Sequence, residues 1–223
     1  MDRSKLYDYS DGSRFKNKSA KEIFTEIAVN NVWQEEESVS GFGSALDQTK
    51  TIISEIPKVI NKLNIKTIFD IPCGDFNWFK EIDLSNNIYI GGDIVQEIVH
   101  QNNQKYKSDN ISFVDFNLIE DIPNKTDLIF CRDCLVHFST KDILKALSNV
   151  KASKSKYLMM TTFNQEEKYN DIITGGWRTI NFEKSPFNLP EPIMIVNENC
   201  TEKNGAFSDK SLGVWRIKDL VVK

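Results

Sequence analysis

Three acids stand at the ends of three successive apolar runs: Asp70 closes TIFD, Asp93 closes YIGGD and Asp115 closes ISFVD. If such runs are parallel strands, their carboxyl ends open into one crevice, where a doubly wound sheet binds its ligands. A carboxylate after the second run can accept both hydroxyls of a ribose, and one after the third suits an exocyclic amine. Asp70 alone also fits a turn or a helix cap, but the two matching acids favour a shared cleft.

The turn after Asp70 reads IPCGDFNW. Pro72 pre-sets one dihedral, Cys73 follows it, and Gly74 lets the backbone approach a ligand with no Cβ in the way. Neither G-x-G-x-x-G nor G-x-x-x-x-G-K-[ST] occurs, so pyrophosphate and triphosphate ligands lose ground. Phe76, Trp78 and Phe79 read as packing between a helix and the sheet.

The fourth run is followed by CRDCLVHF. Charges at Arg132 and Asp133, directly after an apolar segment, cost free energy unless paired or touching a ligand, which favours function for at least one. His137 reads either as a structural histidine or as a catalytic base, whereas His100, on the polar part of IVQEIVHQNNQ, reads as solvated surface. Cys131-x-x-Cys134 tempts a zinc reading, but structural zinc wants four ligands and no second close pair exists, so no metal is expected. With only Cys73 and Cys200 besides, reduced thiols are expected.

These groups need a scaffold. Apolar runs at 66–70, 88–92, 111–115, 126–131 and 156–163 alternate with expected helices at 77–82, 94–106 and 140–151, which predicts an α/β sheet of parallel strands covered on both faces. Runs 126–131 and 156–162 are continuously apolar, as central strands are. Before them, residues 14–32 show helical spacing with a capping box at Ser19 and Glu22, and a helix is expected from about Ala45 to Leu63, kinked or split at Pro57. Residues 164–190 carry too much Gly, Pro and Asn for a regular element and read as a long functional loop. PIMIV and SLGVWRI read as an antiparallel C-terminal edge hairpin.

The 223 residues, 40% hydrophobic, suit a single domain 1–223: a helical N-terminal extension and lid (1–44), a binding core (45–163), a substrate loop (164–190) and C-terminal strands (191–223). A net charge of -4 gives no footprint for nucleic acid, and the locally basic stretch from Arg3 and Lys5 to Lys21 reads as a solvated face. No apolar segment reaches the roughly 20 residues of a membrane span, and no secretory signal is visible, so a cytoplasmic protein is expected.

Together, DIPCGDF, YIGGDI, FVDFN and DLIFCRDCLVHF, in this order, resemble the class I S-adenosylmethionine-dependent methyltransferases over about 66–163. The resemblance implies a Rossmann-like, doubly wound, mostly parallel seven-stranded sheet. It implies S-adenosyl-L-methionine as cofactor, with Asp70, Pro72, Cys73 and Gly74 bordering the methionine part, and Asp93 with Ile94 at the ribose. Asp115 and Phe116 would lie at the adenine, and Cys131 and Arg132 beside the sulfonium. The family's loop is D/E-x-G-x-G-x-G; here Pro72 replaces its first glycine and Phe76 its third.

Ser40, Gly41 and Ser44 read either as linker or, with hydroxyls and free amides before a helix, as a site for the methionine carboxylate. His137 or Asp133 would serve as base for an alcohol acceptor. Trp177 (or mere loop packing), Arg178 and Asn181 would meet an anionic or sugar-like acceptor. The wider set, with GGWR, is similar to a bacterial small-molecule branch linked to surface carbohydrate assembly, which implies methylation of an oxygen of a sugar, sugar nucleotide or phosphate-type group. A silent cofactor-binding or scaffolding protein and a nucleic-acid methyltransferase are the alternatives.

Overall fold

The computed structural model describes residues 3–6 and 11–222; residues 1, 2, 7–10 and 223, and the side chain of Lys5 from the basic stretch, lie outside the described residues. Helix α1 (Ala20–Val29) starts at Ser19, whose hydroxyl accepts the Glu22 amide while the Glu22 carboxylate accepts the Ser19 amide at 2.7 Å. This is the capping box expected from the spacing. Helix α2 (Leu46–Lys62) runs unbroken through Pro57, which corrects the expected split. The bond that proline cannot donate is one among many, and Ile52, Ile56, Val59 and Ile60 tie both halves to the core.

Seven strands form one sheet: β1 (Thr67–Asp70), β2 (Ile88–Asp93), β3 (Ile111–Asp115), β4 (Leu128–Cys131), β5 (Tyr157–Phe163), β6 (Met194–Asn197) and β7 (Lys210–Arg216). Their order is β3-β2-β1-β4-β5-β7-β6. The first five are parallel; β7 inserts antiparallel beside β5 and pairs with β6 at the edge. Helices α3 (Gln96–Tyr106) and α4 (Thr140–Ala152) supply two of the crossovers.

The period of two along the buried strands sorts their side chains onto two cores. Phe69, Ile129, Cys131, Leu158, Met160 and Trp215 pack with Ile143, Leu147 and Val150 of α4, while Ile68, Leu128, Phe130, Met159, Leu212 and Val214 pack with α2 and with Val99 of α3. β4 lies at the centre of the order and is buried at every residue.

The helix expected at 77–82 is only a 3-10 turn, Phe79–Glu81. Phe76, at the third glycine position of the loop, keeps a left-handed backbone (φ 60). That conformation costs a side-chain-bearing residue roughly 1–2 kcal/mol. Burying the ring against Tyr89, Phe113 and Phe79 recovers roughly 1.5–3 kcal/mol, so the phenylalanine is tolerated. Among the described residues no helix is long and apolar enough to cross a membrane, and no group of three or more His, Cys, Asp or Glu side chains is placed to hold a metal. All four cysteines are free.

Candidate active site

The parallel register sets Asp70 of β1 beside Gly91 of β2, and Asp93 beside Asp115 of β3, so the three acids do end neighbouring strands. Asp70 and Asp93 line a pocket at these strand ends together with Pro72, Cys73, Gly74 and Ile94. Asp70 is buried and accepts the Tyr89 hydroxyl at 2.6 Å; burial pushes its carboxyl up to about 8. Asp93 accepts the amides of Val95 (2.9 Å) and Gly74 (3.1 Å), yet burial still lifts it to about 6.

Gly74 is pinned from both sides, its amide by Asp93 and its carbonyl by Asn102 of α3 at 2.7 Å. Its φ is +52, and a Cβ there would lie 2.1 Å from the Ser40 hydroxyl, so any other residue would strain the turn and push that hydroxyl aside.

Asp115 does not join the pocket lining. β3 is the edge strand, and the Asp115 carboxylate, 42% exposed, binds Lys21 at 3.3 Å and Gln96 at 2.5 Å on the rim. The next residues, Phe116, Asn117 and Leu118, line the pocket instead. Phe116 stands edge-on to Phe69 at 4.9 Å. Cys131 is likewise absent from the lining; it is a core residue, and Cys134, one turn on, takes its place.

The segment before α2 covers the loop from the other side. Asp75 accepts the Ser38 hydroxyl (2.9 Å) and the Val39 amide (3.0 Å), which brings Ser40 and Ser44 into the lining. The amides expected to be free are used. Those of Ser44 and Ala45 bond within their own 3-10 turn, and that of Leu46 donates to Glu37 at 2.8 Å. A carboxylate of the chain itself thus sits at the positive end of α2. Gly41 lies in the neighbouring chamber, where the lack of a side chain makes room for Trp33.

That chamber is lined by Gly41, Phe42, Gly43, Phe163, Trp177, Phe207, Glu202 and Lys210, and it shares Trp33, Ser40, Asp133 and His137 with the main pocket. His137 Nδ1 lies 2.7 Å from the Gly176 carbonyl. A carbonyl only accepts, so Nδ1 carries the hydrogen and Nε2 keeps a lone pair. Burial holds the ring down to about 4, so it is neutral at pH 7. Asp133 behaves oppositely: burial raises its carboxyl, but Lys210 at 2.6 Å and Arg132 at 3.5 Å outweigh that and hold it at about 2. Arg132 is itself tied to Glu198 by a buried bridge at 2.7 Å and lies over the Trp78 ring.

The loop 164–190 is irregular as expected, but it packs down more than it reaches over. Gly175 and Arg178 donate backbone hydrogen bonds to the carbonyls of His137 and Val136. The Arg178 side chain is buried, on the Val136 carbonyl (3.3 Å) and the Tyr169 hydroxyl (2.9 Å). Asn181 binds the Asn164 carbonyl and the Glu183 amide. Arg178 therefore supports the segment that carries His137, Asn181 ties the loop to itself, and of the three expected acceptor residues only Trp177 lines the chamber.

Sequence reasoning missed Trp33, whose ring lies 5.3 Å from that of His137, and missed Glu198, Glu202 and Lys210. The one available signal was a lysine opening an otherwise buried strand, KSLGVWR.

No family model matches the sequence, and no curated protein matches it either. Solved structures do. The N-methyltransferase NodS from Bradyrhizobium japonicum WM9 aligns with a TM-score of 0.58 at 11% identity, over 78% of this chain and 98% of that one. The methyltransferase domain of bacterial CtHen1-C aligns at 0.57 and 14%, over 77% and 98%. An S-adenosylmethionine-dependent methyltransferase from Clostridium acetobutylicum ATCC 824 aligns at 0.55 and 13%, over 75% and 91%. The chain has the Rossmann-like methyltransferase fold. At such identities the likeness is one of fold, and the side chains of the two chambers are this chain's own.

Proposed function

We propose that the protein is an S-adenosylmethionine-dependent methyltransferase acting on a hydroxyl oxygen of a small acceptor such as a sugar. The observation that carries this reading is that two chambers share one wall, made by His137, Asp133, Ser40 and Trp33. A transfer between two bound molecules needs such a wall, because most of its acceleration comes from alignment at near-contact distance.

The residues fit the cofactor. Asp93 would hold the ribose, Phe116 would pack on the adenine, and the raised carboxyls of Asp70 and Asp93 favour a ligand that brings positive charge. When bound, S-adenosylmethionine supplies an electrophilic methyl group on a sulfonium. His137, through Nε2, would take the proton of the acceptor hydroxyl, and Asp133, already engaged by Lys210, is the weaker candidate. Trp33 and Trp177 would exclude water and stack on the acceptor.

The chamber's carboxylates, Asp133 and Glu202, face a single lysine, Lys210, which also lies 3.7 Å from Glu198. With Arg132 also 3.5 Å from Asp133, the cations of this wall are already paired with carboxylates, which supports a neutral hydroxyl over a phosphate-type group as the atom methylated. The cytoplasmic setting and the surface-carbohydrate role belong to the same proposal and rest on the sequence resemblance.

Titration with S-adenosylmethionine at pH 7 in two buffers of different ionisation enthalpy tests it. The protein should bind one equivalent and release protons, because Asp70 is protonated beforehand and ionises beside the incoming charge. Asp70→Asn should abolish most of the release. For the same reason Asp70 should make the unliganded protein less stable as pH rises through the window from about 6.5 to about 8, where folded Asp93 and His137 no longer titrate, since the folded state holds a proton that the unfolded chain gives up; Asp70→Asn should remove that loss in thermal melts. Absence of binding would remove the proposal; binding without turnover of any hydroxyl acceptor would favour a silent cofactor-binding protein.

A further inference from the structure

We propose that Tyr89 is a positioning residue for the cofactor: from behind the pocket wall its hydroxyl clamps one oxygen of Asp70 and leaves the other to meet the cofactor's cationic end. The purpose of this clamp rests on the methyltransferase reading; the clamp itself does not.

Tyr89 lies within β2 and is fully buried. Asp70 of β1 pairs with Gly91, so Tyr89, two residues earlier on β2, presents its side chain on the same face of the sheet. Gly91 puts no side chain of its own on the diagonal between them. The Tyr89 hydroxyl donates to Asp70 Oδ2 at 2.6 Å. Among the described residues no other group hydrogen-bonds this carboxyl. Asp70 lines the cofactor pocket and Tyr89 does not, so Tyr89 acts through Asp70, and Oδ1 is the atom left for a ligand.

The ring of Tyr89 is itself fixed. Phe76 and Phe79 stand 5.0 Å from it and Phe113 5.9 Å, all in one core cluster. Phe76 is the residue at the third glycine position of the loop, held there in a left-handed backbone. The loop that borders the ligand therefore also locks the residue behind Asp70, which gives this departure from the glycine pattern a use: a glycine there would leave one side of the Tyr89 ring unsupported.

The titratable and charged groups facing Asp70 are Tyr89 and Asp93 from β2, Cys73 from the turn after β1 and Arg132 from the loop after β4. Burial and Asp93 favour the neutral acid, whereas the Tyr89 hydroxyl and Arg132 favour the carboxylate. Of these only Tyr89 is in hydrogen-bond contact with the carboxyl. Without that hydroxyl the acid ionises less readily and is free to turn.

Infrared difference spectra of the unliganded protein at pH 6 test the clamp, with Asp70→Ala identifying the carbonyl band of the protonated Asp70. In Tyr89→Phe that band should move to higher frequency, because its carbonyl has lost a donor. Adding S-adenosylmethionine to the wild-type protein should erase the band as the acid ionises. By calorimetry at pH 7, Tyr89→Phe should bind S-adenosylmethionine about tenfold more weakly, the worth of one hydrogen bond to a charged group. In an Asp70→Ala background the same substitution should change the affinity less than about twofold.

A missing Asp70 band, a band that Tyr89→Phe leaves unmoved, or an equal loss of affinity with and without the Asp70 side chain would overturn the proposal. If Tyr89→Phe does not fold, Phe76→Leu takes its place, since it loosens the ring and should move the band the same way; failure of both to fold would make this cluster a stability element and overturn it too. Should S-adenosylmethionine leave the wild-type band untouched while Tyr89→Phe still moves it, the function assigned above would fall and the clamp would stand.

Discussion

Asp93→Ala should weaken S-adenosylhomocysteine binding on the order of 100-fold in a protein that still folds. Two charge-assisted hydrogen bonds to ribose hydroxyls are worth about 1.5–3 kcal/mol each at most, and a loss of about 2.7 kcal/mol already gives that factor. The carboxylate also holds the amides of Gly74 and Val95, so its removal loosens the loop that approaches the ligand. Folding survives because deletion of a buried acid also removes its desolvation cost, the leading reason that its carboxyl sits at about 6. The same value gives a sign for pH. The ionised form accepts better, so wild-type affinity should increase as pH rises through about 6, and Asp93→Asn should lose that dependence. Calorimetry across pH 5 to 8 checks both; equal affinities in wild type and Asp93→Ala would place the ribose elsewhere.

His137→Ala should lower turnover with a hydroxyl acceptor by about 10²- to 10⁴-fold, the usual range for a general base, with cofactor affinity unchanged. The neutral ring is the active form and its midpoint is held down to about 4, so wild-type turnover should climb as pH passes that value and stay flat above it. His137→Gln retains a hydrogen-bonding tip without a usable base and should be nearly as slow. A turnover unaffected by both substitutions would mean that the acceptor atom needs no deprotonation, which is the behaviour of an already ionised oxygen or a free amine.

The sheet was legible because parallel strands buried on both faces leave continuous apolar runs, and β4 and β5 show them plainly. Asp70 and Asp93 were legible because central strands deliver their last residue to the crevice. Asp115 stands apart for a reason of position: its strand lies at an edge of the sheet, and the acid meets Lys21 and Gln96 at the rim while Phe116 lines the pocket. Arg178 and Asn181 looked functional because polar residues in a glycine-rich loop usually do. Buried as they are, they satisfy backbone carbonyls beneath the site.

The pairing of Lys210 with Asp133 spans 77 positions and arises only when an antiparallel strand inserts beside β5. Nothing local in the sequence announces that. Trp33 was invisible in the same way, since its place between the chambers depends on how the segment before α2 folds back onto Asp75. The long-range contacts that finish the site were the part that periodicity does not encode.

A crystal structure of the protein grown with S-adenosylhomocysteine is the most direct measurement. The account predicts the ribose hydroxyls on the Asp93 carboxylate, the adenine against Phe116, and the sulfur turned toward the wall of His137 and Asp133. A ligand seated outside this pocket, or one whose sulfur faces away from His137, would contradict it.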